Sequence, residues 1–379
     1  MIAGGGSLWR LVLPPFLASR ALGLLIPLLS VWQQSQSAGL PTGGEVRSAF
    51  DQWDSQSYVA IAEHGYPSQL DFGLGRPGHL IAFFPGYPML VRAVMVLCGD
   101  AVVAGLVVSA GMELVALRLL AGLVLRERDR SAACFAVWGL ALWPYAAFLG
   151  LVYTESTFLA AAIAALLLAR RGRFGPACAC AALACATRVT GVALIPALLV
   201  EMLVQRRWRP SPQLLWLGLV PVPMLLLGLY LRLHTGDALA WLHAESSVSF
   251  AYRHLDWPWV GGRATWDSTI RSSLPAGSTY VFGLELIFGI GGALTCAALW
   301  LTHRIPLSLI VYTTAVWLLS VSVSYWISVP RYEIAMFPTL IAVWDLLSRR
   351  PGWRAGLIGA SAGLFAYGAG LYASGRWLG

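Results

Sequence analysis

Residues 50–66, FDQWDSQSYVAIAEHGY, are the most hydrophilic run of a 379-residue chain that is otherwise apolar. The run carries Asp51, Asp54, Glu63 and His64, with Trp53, Tyr58 and Tyr66 among them, and the aromatic stretch AFFPGYP follows at 82–88. Arg92 belongs to the same first-loop region, and elsewhere ionisable residues stand near the ends of apolar runs: Glu155 in VYTES, Arg188 in ATRVTG, and Arg331 with Tyr332 in SVPRYE. A charged side chain at membrane depth costs about 2.5–3.5 kcal/mol on insertion scales, which makes each a functional candidate. Carboxylates and arginines together at a lipid–water interface suit one reaction class. A guanidinium holds a phosphate through a permanently charged, bidentate fork, and it stabilises the negative charge that builds there as a bond to the phosphate breaks. A carboxylate within hydrogen-bond reach of an acceptor hydroxyl takes its proton. Inverting sugar transfer from a lipid phosphate needs both, with the base on the face opposite the leaving group. Trp53, Tyr58, Phe83, Phe84 and Tyr87 are placed to line a lipid path or stack on a sugar face.

Each residue also has a plainer reading. A lone interfacial Asp is commonly solvated or a helix cap, Glu155 suits the cap of a following helix, and Arg188 and Arg331 suit phospholipid headgroup anchors. Arg20 and Arg118, inside apolar runs, read as structural pairing or snorkelling. His234, His243 and His254 lack metal-ligand spacing, so neither a metal nor a cofactor is expected.

The elements that must position these residues are read from composition. Hydrophobic residues make up 58% of the chain and charged residues 12%, with a mean hydropathy of +0.69; ordinary soluble domains carry about twice that charge. The expected fold is an all-α polytopic membrane protein in a single domain over 1–379. Apolar runs at about 8–32, 101–125, 131–152, 157–170, 175–187, 190–205, 213–232, 279–301, 305–327, 333–347 and 355–373 predict roughly eleven spans (10–12). The run at the N-terminus reads as the first of them and not as a removed signal. The net charge of +8 comes from 26 basic residues, all Arg. They cluster between the spans, as the positive-inside bias requires, so nucleic acid is not an expected partner. RERDR at 126–130, RRGR at 170–173, QRRWR at 205–209, Arg304 and SRRPGWR at 348–354 all fall on the cytoplasmic side if the N-terminus does. That polarity leaves 33–100 and 233–278 as outer loops. Within the first, 49–63 reads as a helix on the outer membrane surface, and the Pro-broken segment from AFFPGYP onward as a re-entrant or interfacial helix. The second, rich in Trp, Arg and Pro, reads as a cover over a site. The absence of Lys and Asn points to a GC-rich, bacterial genome. The six Cys have no C-x-x-C spacing and read as small packing residues.

WDSQSYVAIAEHGY followed by AFFPGYP resembles the first-loop signature of the eukaryotic mannosyltransferase that adds the second mannose to GPI anchors, the PIG-V family, and of the bacterial membrane proteins grouped with it. VYTESTF and ATRVTG recur in matching order, and GDALAWLHAE is similar to a loop segment of the bacterial members, so the resemblance runs from about 45 to 340. It departs at 67–81, which is longer here than in the eukaryotic members, and at RYEIAMFP, which matches loosely. The resemblance implies a GT-C glycosyltransferase: polytopic and inverting, with a lipid-phosphate donor and an acid in the first outer loop. By motif position it makes Asp54 the base or acceptor-positioning group, with Asp51 the runner-up. It singles out His64, Glu155, Arg188 and Arg331 as site residues, and Arg188, Arg331 and, from the first loop, Arg92 are expected at the donor phosphate. Trp53, Tyr58, His64, Tyr66, Phe84, Tyr87, Glu155, His243 and Tyr332 are then placed at the substrates. A polyprenyl-phosphate mannose donor and a lipid or glycan acceptor on the periplasmic or extracellular face of the plasma membrane are implied with it. The rival readings are a carrier or flippase that moves lipid-linked sugars without chemistry, and a related enzyme with another sugar or a protein acceptor. A carrier tends to show internal repeats and charges on broken helices at mid-membrane.

Overall fold

The computed structural model describes residues 5–35, 40–68, 71–72, 76–270 and 276–377. Parts of the two long loops (36–39, 69–70, 73–75 and 271–275) lie outside the described residues. Among the described residues the chain is all-helical, with one isolated bridge from Leu255 to Val323 and no strand.

All eleven apolar runs contain helix, but not as eleven uninterrupted spans. Among the described residues, Gly5–Ser35, Ala101–Glu127, Ala276–Thr302 and Pro351–Ala373 contain the four stretches that are long and apolar enough to cross a membrane. A fifth is added if Pro212–Leu219 and Val222–Thr235, bent by 41°, are one span. The others are shorter or broken for local reasons. Arg130–Ala141 stops before Pro144, and Leu307–Val321 stops before an irregular segment that leads to Val329. The chain is an integral membrane protein; the number of crossings stays an expectation.

Polar contacts gather at two ends of the bundle. Glu155 opens the Glu155–Arg170 helix and Arg170 closes it, about 22 Å apart at 1.5 Å per residue. At the Arg170 end, Arg170 pairs with Glu127 at 2.8 Å and Glu201 at 3.1 Å. Nearby, Arg128 donates to both oxygens of Asp345, at 2.8 and 2.7 Å. Between these two ends a buried tie joins the first helix to Ala101–Glu127: Arg20 pairs with Glu113 at 2.7 Å and Ser19 donates to the same carboxylate at 2.7 Å. The structural pairing expected of Arg20 is this tie. It gives each of these two charges a counter-ion within the apolar layer.

The first long loop folds against the bundle as the helix Asp54–His64, the turn Pro77–Ala82 and the helix Gly86–Cys98. At 13 residues the last spans about 20 Å, short of a crossing. The surface helix expected over 49–63 begins only at Asp54, because Trp53 before it adopts φ 57° and ψ −125°. Nor does it only rest on a surface: Ser55, Ser57, Tyr58, Val59, Ile61 and Ala62 are buried. The second loop supplies Ala240–Glu245 and Pro258–Ile270. Its Trp241 packs on Phe84 and its Phe250 on Phe83, with ring centroids 5.5 and 6.0 Å apart.

Gly86 and Gly191 account for the glycines of the AFFPGYP and ATRVTG stretches. A Cβ on Gly86 would sit 2.6 Å from the carbonyl oxygen of Ala186, and one on Gly191 would sit 2.5 Å from the backbone nitrogen of Cys185. Backbone cannot yield as a side chain can, so Gly86→Ala pushes the Gly86–Cys98 helix away from the segment that leads into Arg188. Overpacking of this kind costs about 1–3 kcal/mol. A lower unfolding temperature in detergent is expected, and an unchanged one shows that the contact yields.

Candidate active site

Four helix ends deliver four charges to one place. Asp54 is the first residue of Asp54–His64, and Glu155 is the first of Glu155–Arg170, where helix amide dipoles favour an acid. Arg188 ends the Phe174–Thr187 helix, and Arg331 lies in the short helix Val329–Tyr332. Arg331 Nη1 donates to Asp54 Oδ2 at 2.8 Å. Its Nε lies 2.8 Å from Glu155 Oε1, close enough for an ion pair but without the alignment of a hydrogen bond. Arg188 Nη1 donates to the same Glu155 Oε1, and to Thr154 Oγ1 at 3.2 Å. The result is a continuous chain, Asp54–Arg331–Glu155–Arg188, in which two negative and two positive groups cancel.

Burial makes this chain electrostatically strong. Glu155 is 3% exposed and Arg331 4%, whereas the Asp54 side chain keeps 21% of its surface and is the end nearest solvent. Aromatic faces replace water around the cations. The Arg331 guanidinium lies 5.1 Å from the ring centres of both Phe148 and Tyr153, and Arg188 lies 4.8 Å from that of Tyr332. A small pocket touches Glu155, Arg188, Arg331 and Tyr332, with Phe158 and Val316 in its wall. Its volume, about 10 Å³, is on the order of one water, so a phosphate enters only if side chains part. Glu155 Oε2 is buried there without a hydrogen bond among the described residues.

The approach to Asp54 is held from elsewhere in the chain. The Gln52 N–H donates to the Tyr372 hydroxyl at 3.0 Å, while the Tyr372 and Tyr153 hydroxyls donate to the Gln52 carbonyl at 2.9 and 3.2 Å. These bonds fix the residue before Trp53, whose positive φ is uncommon for a bulky side chain. Strain of that kind costs about 1–3 kcal/mol and persists where its surroundings over-determine it.

The structure brings Asp54, Glu155, Arg188, Arg331 and Tyr332 together, with the buried Tyr58 ring beside them, 6.1 Å from that of Tyr153. It separates other residues that the sequence placed with them. Asp51 Oδ1 accepts from Ser55 Oγ at 3.2 Å and Oδ2 lies 3.8 Å from Arg47, away from both site arginines. Burial raises the Asp51 pKa above the usual carboxylate value. Arg92 is exposed on the Gly86–Cys98 helix, with no ion pair among the described residues. His64 is exposed beside its neighbour Glu63, and His243 Nδ1 meets Asp237 Oδ2 at 2.6 Å on the surface. The backbone N–H of Leu239, and then His243, lower the Asp237 pKa. Trp53 packs edge-on against Trp377 at 4.9 Å. Tyr66 and Tyr87 use their hydroxyls internally, on the carbonyls of Phe83 at 2.5 Å and Gly105 at 3.2 Å. Phe84 belongs to the packing between the loops.

Sequence reasoning missed Thr154, Phe148 and Tyr153, which sit within or just before VYTES. It also missed Arg253, which pairs with Glu245 at 2.5 Å. No spacing sets Arg253 apart from the other cations of its loop. Among the described residues no group of three or more His, Cys, Asp or Glu could hold a metal ion.

No protein-family model and no curated protein matches this sequence. Solved structures do match its shape. The apo oligosaccharyltransferase from Archaeoglobus fulgidus superposes with a TM-score of 0.53 at 14% identity, over 99% of this chain and 57% of that one. ArnT from Cupriavidus metallidurans, in a crystal structure bound to undecaprenyl phosphate, gives 0.51 at 16% identity, over 95% and 76%. The chain thus spans little more than half the length of the oligosaccharyltransferase. Both neighbours are GT-C glycosyltransferases, and at these identities the likeness shows the fold alone: this chain shares their all-helical architecture.

Proposed function

We propose that the chain is an inverting glycosyltransferase that moves mannose from polyprenyl-phosphate mannose to a hydroxyl of a lipid or glycan acceptor at the outer face of the membrane. The observation that carries this reading is the buried chain Asp54–Arg331–Glu155–Arg188, a solvent-facing acid linked directly to guanidinium groups. Asp54 takes the acceptor proton as the hydroxyl oxygen attacks the anomeric carbon. The bond from that carbon to the phosphate oxygen breaks, and its electron pair leaves with the polyprenyl phosphate. Arg331 and Arg188 stabilise the charge that arrives there, and Glu155 holds the two guanidinium groups in register. The GT-C fold and a neighbour bound to undecaprenyl phosphate support a lipid-phosphate donor. Mannose rests on the resemblance of the first-loop signature to the PIG-V family. A carrier is disfavoured because the site charges stand at helix ends and pair an acid with cations.

The test is purified protein in detergent with labelled polyprenyl-phosphate mannose and a panel of lipid and glycan acceptors. Transfer of label with release of polyprenyl phosphate is expected. No release with any acceptor favours the carrier, and release from another sugar donor alone reassigns the sugar. The proposed orientation puts the N-terminus in the cytoplasm and the site outside. Cys98, exposed at the end of Gly86–Cys98, then reacts with a membrane-impermeant maleimide in intact cells. Labelling only after lysis reverses the orientation.

A further inference from the structure

Glu285 lies in the apolar helix Ala276–Thr302 and is fully buried, a position where a carboxylate is costly unless something compensates it. Its compensation is the backbone of the segment that carries Arg331. Oε1 accepts from the Ser328 N–H at 2.8 Å and Oε2 from the Val329 N–H at 2.7 Å, across 43 and 44 residues of sequence. Those amides open the four-residue helix Val329–Tyr332, too short to sustain itself. Ser328 adopts φ 64° and ψ 16°, a left-handed conformation that is uncommon outside glycine. A bidentate, charge-assisted grip on both amides selects this turn over extended alternatives. Arg331 follows two residues after Val329, so the direction of its guanidinium toward Asp54 and Glu155 is set by where Glu285 holds the turn.

We propose that Glu285 is a positioning residue for the donor phosphate: it touches no substrate and acts through Arg331. The inference rests on the transferase reading above and deepens it. In Glu285→Gln the side chain keeps its shape but faces two N–H donors with one acceptor oxygen. Loss of a charge-assisted hydrogen bond is worth about tenfold or more in an equilibrium. Affinity for undecaprenyl phosphate is measured in wild type, Glu285→Gln, Arg331→Ala and the double variant, with amide exchange at Ser328 and Val329 read on the same samples. The expected result is affinity weakened about tenfold by Glu285→Gln, no further loss in the Arg331→Ala background, and amide protection that is present in wild type and lost in Glu285→Gln. Unchanged affinity overturns the proposal, and so does an equal loss in both backgrounds, because a residue acting only through Arg331 has nothing to act through once that side chain is gone. If wild type binds no undecaprenyl phosphate, the transferase reading fails, and amide exchange still decides the grip on the turn: unprotected amides in wild type overturn it. Should Glu285→Gln not fold, Glu285→Asp keeps the charge and withdraws the carboxylate by one methylene.

Discussion

Asp54→Asn is expected to lower kcat for sugar transfer by about 10²–10⁴-fold, the contribution typical of a positioned general base. The substitution keeps the size of the side chain and removes its capacity to take a proton. It also removes the negative charge that occupies Arg331 Nη1 at 2.8 Å. Before substrate arrives, that contact engages both the acid and the cation that must serve the phosphate. Polyprenyl phosphate is therefore expected to bind the Asn variant at least as tightly as wild type while transfer collapses. Kinetics and binding measured on one preparation separate the two effects. Transfer at wild-type rates removes Asp54 from its role, and binding weakened in parallel with rate makes it structural instead.

Arg331→Ala is expected to have the larger effect on the donor and a second effect on the fold. A cation aimed at a developing oxyanion contributes about 10²–10³ in rate, and this one also orders the ground-state phosphate. Donor binding and kcat/KM should therefore both fall by at least that factor. Truncation also strands Glu155, 3% exposed, with a single arginine. Removing one partner of a buried pair costs about 3–5 kcal/mol, so the unfolding temperature drops too. Arg331→Lys restores charge without the fork, which cannot reach Asp54 and Glu155 together, and should recover stability better than activity. An Ala variant with unchanged kcat/KM would make Arg331 purely structural.

Much of the site is legible in the sequence because burying charge in lipid is expensive. Glu155, Arg188 and Arg331 stand at the ends of apolar runs where little but function or pairing explains them, and the structure joins them to Asp54. The same reasoning cannot tell which way a side chain points. Arg92, His64 and His243 share the first three residues' composition and neighbourhood, yet the helices that carry them turn them to the surface. Periodicity also extended the first-loop helix back to residue 49. The break at Trp53 comes from hydroxyl groups on Tyr153 and Tyr372, far away in sequence, which no local pattern encodes. Glu113 and Glu285 carried the signal of a lone acid in an apolar run. Their partners, an arginine on another helix and two backbone amides, are set only by tertiary packing. Run lengths likewise locate the helices but not their breaks, which Pro144 and the irregular segment after Val321 impose.

Tyr372 belongs to the last helix and touches Gln52 across 320 residues of sequence. Shortening that helix, or fusing a rigid partner close behind it, would therefore loosen the segment that presents Asp54 while leaving most of the bundle intact. Catalytic rate, more than solubility or yield, is where such an alteration would first be felt.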